Sequence, residues 1–131
     1  MIKYYLISRK NPITKEYAYH ANATSVTPIM LDELAEDISG SCTVTKHDVK
    51  AVISVLEEKI IKALRNGQSV RLGDLGSFHA RISSKAAATT DEFTEKLSEH
   101  IRGILVRFTP SSKMRHELSL KNPAVQLQLQ Q

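Results

Sequence analysis

One cysteine, Cys42, is the whole thiol content of this 131-residue chain. A lone thiol closes no internal disulfide and has no second sulfur with which to share a metal. Its expected place is that of a small hydrophobe, buried or half-buried. Long apolar runs are missing too. Nothing approaches the roughly 20 residues of a membrane span, and the N-terminus lacks the charged-then-apolar order of a secretory leader. The chain is therefore expected to remain in the compartment where it is made. Five histidines (His20, His47, His79, His100 and His116) are scattered, none at metal-ligand spacing with Cys42 or with another histidine. His47 and Asp48 are adjacent, and adjacent residues diverge on a helix. No nucleophile elbow, P-loop or dinucleotide fingerprint occurs; "GDLGSF" has two glycines but opens no helix. These absences lead to the expectation of no catalytic residues, no metal, no cofactor and no small-molecule substrate.

What is present suits a soluble globular chain, with 41% apolar and 24% charged residues. The length is one domain's worth. Net charge is +4, from 18 Lys and Arg against 14 Asp and Glu, and its placement is uneven. Residues 1–27 hold Lys3, Arg9, Lys10 and Lys15 against Glu16 alone, whereas 91–99 hold Asp91, Glu92, Glu95 and Glu99 against Lys96. A chain polarised in this way presents an anion with one face rather than with all of itself.

"IKYYLIS" (2–8) is β-branched and aromatic and predicts a strand; "EYAYHANATSV" pairs back with it across Asn11-Pro12. Two strands alone are marginal in water, so this hairpin leans on a larger sheet or a partner chain. Thr27-Pro28 begins a helix with Leu31, Leu34, Ala35 and Ile38 on one stripe, ended by Gly40. Thr45, with Asp48 three residues on, resembles a capping box. The long helix behind it carries Val49, Val52, Ile53, Leu56, Ile60, Ala63 and Leu64 on one face and closes at Gly67. Val55 and Ile61 lie outside that stripe, apolar surface that suits a second helix packing there, such as one from another subunit. "SVRLGDLGSFHARIS" predicts two half-buried strands, with Val70, Leu72, Phe78, Ala80 and Ile82 inward and Arg71, His79 and Arg81 outward. Phe93, Leu97 and Ile101, with Thr89 and Glu92 ahead of them, allow a short helix. "GILVRFT" is a further strand with Ile104, Val106 and Phe108 inward and Arg107 outward. Pro110-Ser111-Ser112 starts a last helix containing Met114 and Leu118, and "NPAVQLQLQQ" reads as a frayed end.

This order of elements, with "TKHDVKAVI" (45–53), "RNGQSVRLGDLGSF" (65–78) and "VRFTPSSKMR" (106–115), resembles the HU/IHF family of bacterial histone-like proteins. The resemblance covers roughly residues 28–118; the first 27 look like the extension of the longer-chained branch. It implies an α+β fold with an N-terminal β-hairpin extension (1–27), a DNA-binding domain (28–120) and a tail (121–131). That domain would hold a two-helix base, a three-stranded antiparallel sheet with an arm region, and a short C-terminal helix. It also implies a homodimer that binds double-stranded DNA, cytoplasmic and nucleoid-associated. Family arms reach round the minor groove and wedge a proline between base steps, with recognition mostly through phosphates and deformability.

The carry-over by residue is partial. Position 79 matches a basic DNA-facing position of the family but is His; Arg81 keeps a cation two residues along. Ser111 and Ser112 match the family's Gly-Lys that meets phosphate, with Lys113 supplying the charge from the next position. Arg71, Lys85 and Arg107 complete the candidate contacts of the domain. Asp74 stands where the family usually has glycine near a phosphate. The arm departs most: "SSKAAATTDEFTEKLSEHIRG" has no proline and is acidic, so it cannot wedge. "RKNPITKE" (9–16) resembles the family's Arg-Asn-Pro-x-Thr-Gly tip, with Lys10 inserted and Lys15 in the glycine's place. Arg9, Lys10, Asn11, Pro12 and Lys15 are thus either a proline-stiffened surface turn or a DNA-touching element. The resulting expectation is an architectural duplex-DNA-binding protein with little sequence preference. The alternative is a dimeric HU-fold module for protein partners.

Overall fold

The structure, a computed structural model, describes residues 1–130. In chain order the elements begin with β1 (Ile2–Lys10), β2 (Tyr17–Ala23), α1 (Leu31–Ser41), α2 (Lys46–Arg65), β3 (Val70–Leu72) and β4 (Gly76–Ser84). There follow α3 (Thr90–Glu95), α4 (Leu97–His100), β5 (Ile101–Pro110), α5 (Ser112–Glu117) and β6 (Leu127–Leu129). The chain divides into two units, one of residues 31–114 and one of 1–30 with 115–131. The tail does not fray: Leu127, Gln128 and Leu129 pair in parallel with Ile2, Lys3 and Tyr4, giving the strand order β2-β1-β6. The Asn122 carboxamide helps to fold the approach, bonding the Glu117 carbonyl at 3.0 Å and accepting from the Ala124 amide at 3.0 Å. Leu-Gln alternation then suits a strand added to an open edge.

In the larger unit, α1 starts at Leu31 rather than at the expected Pro28. Ile29 and Met30 stand exposed outside the apolar stripe, so no packing holds a first turn at Pro28. Asp32 meets Lys50 of α2 at 2.6 Å, and the Lys50 ammonium holds that carboxyl below its ordinary range. Thr45 caps α2, accepting from the Asp48 amide at 3.2 Å. At the other end Gly67 takes φ +77°, and the amides of Gly67 and Gln68 bond the carbonyls of Leu64 and Ala63, satisfying groups the helix leaves open. Antiparallel β3-β4-β5 follows, in the expected order and with the residues expected inward sharing one face. Phe78 faces Phe108, Ala80 faces Val106 and Ile82 faces Ile104, with the two phenyl rings 5.0 Å apart. Gly76 lies beneath this pair. A side chain there would strike the Thr109 carbonyl and come within 2.7 Å of the Phe108 ring.

Little of this apolar surface is covered within one chain. Ala35 and Val49 are the buried hydrophobic residues among those described, while Ile82, Ile104 and Val106 are 67%, 71% and 60% exposed. Cys42, expected to be at least half-buried, is exposed and lines an apolar groove with Ile38, Val44, Val49, Val52 and Ile53. The chain exposes 11239 Å². Two separately folded units of these sizes would expose only about 8,300 Å² by the usual scaling of surface with mass. A stripe and a sheet face that are apolar in sequence thus stand open to solvent.

Two substitutions test the local account. Thr45→Ala is expected to cost about 1 kcal/mol through the lost cap. Gly76→Ala should cost about 1–3 kcal/mol through overpacking. Urea unfolding monitored by circular dichroism would show both, and equal stability of Gly76→Ala and the parent would contradict the close approach.

Candidate nucleic-acid interface

Strand pairing decides which cations share a face. Arg71 pairs with Ser77, His79 with Arg107, and Arg81 with Leu105. Because side chains alternate along a strand, Arg71, His79, Arg81 and Arg107 all stand on the face opposite the phenylalanines. The strand residues sharing that face are Ser77, Ser83, Gly103, Leu105 and Thr109, with no carboxylate among them. The three arginines are exposed; His79 is half-buried, its Nε2 3.4 Å from the Thr109 hydroxyl. None of the four lies in a salt bridge among the described residues. The predicted basic face therefore exists as one surface.

The other candidates of this unit are differently placed. Lys85 follows β4 at the root of the arm, where its amide donates to the His100 carbonyl at 2.6 Å. Ser111 is engaged in structure: its hydroxyl donates to the Asp74 carbonyl and accepts from the Met114 amide at 3.1 Å, capping α5. Ser112 is exposed at the first position of α5. Lys113 is 3.6 Å from the Asp74 carboxylate, so the residue expected to repel phosphate instead offsets the lysine expected to attract it. Sequence reasoning passed over Arg102, an exposed cation in the bulge where the pairing of β4 and β5 shifts at Ser83 and Ser84. The signal was local, since glycine beside a strand cation often marks such a bulge.

The arm region folds into α3 and α4 instead of extending as a proline-tipped ribbon. Thr89 caps α3 by accepting from the Glu92 amide at 3.1 Å. His100 is 7% exposed, with its ring 5.0 Å from Phe93 and its Nδ1 2.9 Å from the Lys96 carbonyl. Thr89 and Glu92 thus do what their spacing suggested, whereas Phe93, Leu97 and Ile101, expected in one short helix, fall in α3, α4 and β5, parted at Lys96.

In the smaller unit the turn after β1 is closed by Asn11. Its side-chain oxygen accepts from the Ile13 amide at 2.9 Å, and its carbonyl accepts from the Lys15 amide at 2.9 Å. Lys15 takes φ +59°, the left-handed conformation that favours glycine, and among the described residues it is the one non-glycine with positive φ. Pro12 and Ile13 stand at the tip, with Ile13 88% exposed. Arg9, Lys10 and Lys15 are free of salt bridges among the described residues. This unit carries six cations (Lys3, Arg9, Lys10, Lys15, Arg115 and Lys121) against Glu16 and Glu117, leaving twelve charges of each sign in residues 31–114. The whole formal charge of +4 therefore belongs to the unit built on the hairpin.

Comparison with known proteins agrees with this architecture. Residues 1–123 match the family described as an HU domain fused to wHTH, Ig, or glycine-rich motif. The chain belongs to the HU/IHF family. Integration host factor subunit alpha of Vibrio vulnificus strain YJ016 is 30% identical over 83 residues, 63% of this chain and 86% of that protein. Among solved structures, the Anabaena HU–DNA cocrystal structure is similar with a TM-score of 0.54 at 21% identity, over 70% of this chain and 99% of that one. A Bacteroides vulgatus protein, provisionally described as a bacterial DNA-binding protein, matches 98% of this chain with a TM-score of 0.66 at 17% identity. This chain spans 47% of that structure, a likeness that takes in the hairpin unit as well as the HU-like one.

If Lys15 stands in a glycine's conformation, Lys15→Gly should steady the turn by about 1 kcal/mol. Slower hydrogen exchange at the Asn11 and Lys15 amides would report it, and faster exchange would contradict the assignment.

Proposed function

We propose that this protein is an architectural DNA-binding protein that acts as a homodimer, gripping duplex DNA through phosphates with little sequence preference. The observation that carries the reading is the shared face of Arg71, His79, Arg81 and Arg107, free of strand carboxylates. Cations spaced along adjacent strands meet successive phosphates and carry no base code. Arg9, Lys10 and Lys15 at the hairpin turn, with Asn11 and Pro12 shaping it, supply further phosphate contacts. Lys85, Ser111, Ser112 and Lys113 are secondary, because Ser111 caps a helix and Lys113 faces Asp74. DNA-binding and histone-like character agree with the family, and the Anabaena relative was crystallised with DNA. A cytoplasmic, nucleoid-associated protein without enzymatic activity fits the same reading. Among the described residues no helix is long and apolar enough to cross a membrane.

The uncovered apolar surface supports dimerisation. The Vibrio relatives are named as one subunit of a factor, so the alternative is a hetero-partner. Sedimentation of the purified chain should give twice 14.6 kDa; a monomer at micromolar concentration would count against the homodimer. Bending should be shallower than in relatives with proline-tipped arms, because a helical, acidic arm has no wedge to unstack a base step.

A second reading keeps the fold but turns it toward proteins. The charge balance of residues 31–114 and the acidic α3–α4 arm favour it. Salt dependence separates the two. For the parent, log affinity against log salt should fall steeply, by about 0.9 per phosphate contact. Arg81→Ala/Arg107→Ala should shallow that slope by about 2 per chain and weaken unrelated duplexes alike. A shallow parental slope, unchanged in the variant, would favour the protein-partner reading. Asp74→Asn, which frees Lys113, should steepen it by about 1 per chain.

A further inference from the structure

The β2-β1-β6 sheet has two unlike faces. Register places Ile2, Tyr4, Leu6, Ser8 and Lys10 of β1 with Ala23, Ala21, Tyr19 and Tyr17 of β2 and with Leu127 and Leu129 of β6. That face is aliphatic near the β6 end and aromatic and basic near the turn. Tyr17 and Tyr19 are 66% and 73% exposed, and the Lys10 ammonium lies 5.8 Å from the Tyr17 ring centroid. No carboxylate stands among the strand residues of this face.

We infer that Tyr17 and Tyr19 form a stacking platform for unpaired bases of single-stranded nucleic acid, with Lys10 and Lys15 holding its phosphates. The inference rests on the DNA-binding reading above and names a second nucleic-acid form for it. Residues two apart on a strand sit about 7 Å from each other. That is twice the 3.4 Å rise per nucleotide of a stacked duplex strand. Two rings at this spacing suit bases that are already unstacked, one to each ring, whereas a duplex keeps its base faces inside. Stacking on aromatic side chains tolerates any base, and flanking cations follow the backbone. The net charge of +4 in this unit supplies that attraction. Lys10 loses only a weak, exposed contact when a base displaces it from the Tyr17 ring.

Full-length protein titrated with labelled oligothymidylate, and separately with a blunt duplex of equal length, tests the platform. Tyr17→Ala/Tyr19→Ala is expected to weaken oligothymidylate binding by about thirtyfold or more. Duplex binding should change by less than about twofold, and Tyr17→Phe/Tyr19→Phe should retain single-strand binding. The chain has no tryptophan and only four tyrosines, so quenching of tyrosine emission by the oligonucleotide reads the stacking directly. Unchanged single-strand affinity in the alanine variant, with duplex binding intact, overturns the platform and leaves the duplex reading standing. Equal losses on both ligands, or a changed sedimentation coefficient, overturn it in favour of a contact between copies. Parental protein that binds neither ligand overturns both readings.

Discussion

Ile82, Ile104 and Val106 stand on one face of a three-stranded sheet with most of their surface in water, and the apolar groove between α1 and α2 is open as well. Burying such side chains stabilises a protein by about 1.5–3 kcal/mol each. That term must offset the conformational entropy of ordering the chain. Within one copy, Ala35 and Val49 are the buried hydrophobic residues described, too small a core for a stable fold. Everything else depends on where the missing cover comes from. In the proposed dimer the inward face of each sheet is closed by the second copy, which leaves the opposite face, with its arginines, turned to solvent. Packing and function are then two sides of the same strands: period-two alternation that sends phenylalanine one way sends Arg81 and Arg107 the other.

Much of this was legible in sequence. The alternation in "SFHARIS" and "GILVRFT" encoded both faces, and register placed their residues as the pattern required. Thr45, Asp48 and Gly67 marked both ends of α2 because caps are local chemistry, read from a few neighbouring residues. What depended on distant partners was harder. The Leu127–Leu129 strand looked like a loose end because its stability comes from an edge more than 120 residues away in sequence. Exposure of Cys42 and of the inward sheet residues could not be read either, since pattern identifies an apolar side chain but not the molecule that covers it. At the site, the shared face of Arg71, His79, Arg81 and Arg107 was foreseen. The pairing of Lys113 with Asp74 was not, because it joins a turn to a helix start across a fold that local spacing does not describe. Tyr17 and Tyr19 carried a readable signal, aromatics two apart beside cations, that becomes informative only when their exposure is known.

Charge is divided between the units in a way the overall balance conceals. Residues 31–114, which carry α1, α2 and the β3-β4-β5 sheet, are neutral in sum, and their basic face is local. The hairpin unit holds the whole excess. At long range a polyanion therefore responds to the hairpin unit first, and the arginine face acts within about a Debye length, some 8 Å at physiological salt. The helical arm adds carboxylates instead of a wedge, so in the proposed reading charge outweighs base-step distortion.

The parallel pairing of β6 with β1 also governs the order in which the molecule can be completed. A ribosome releases β1 and β2 early, and the hairpin can close at once; its second edge stays open until residues 127–129 emerge. Through that interval Ile2, Lys3 and Tyr4 present unpaired backbone groups, the kind of edge that recruits strands from neighbouring chains. β6 thus replaces part of the long β1 edge with a three-residue one, and a nascent chain still lacking residues 127–129 would be more adhesive than one that has them.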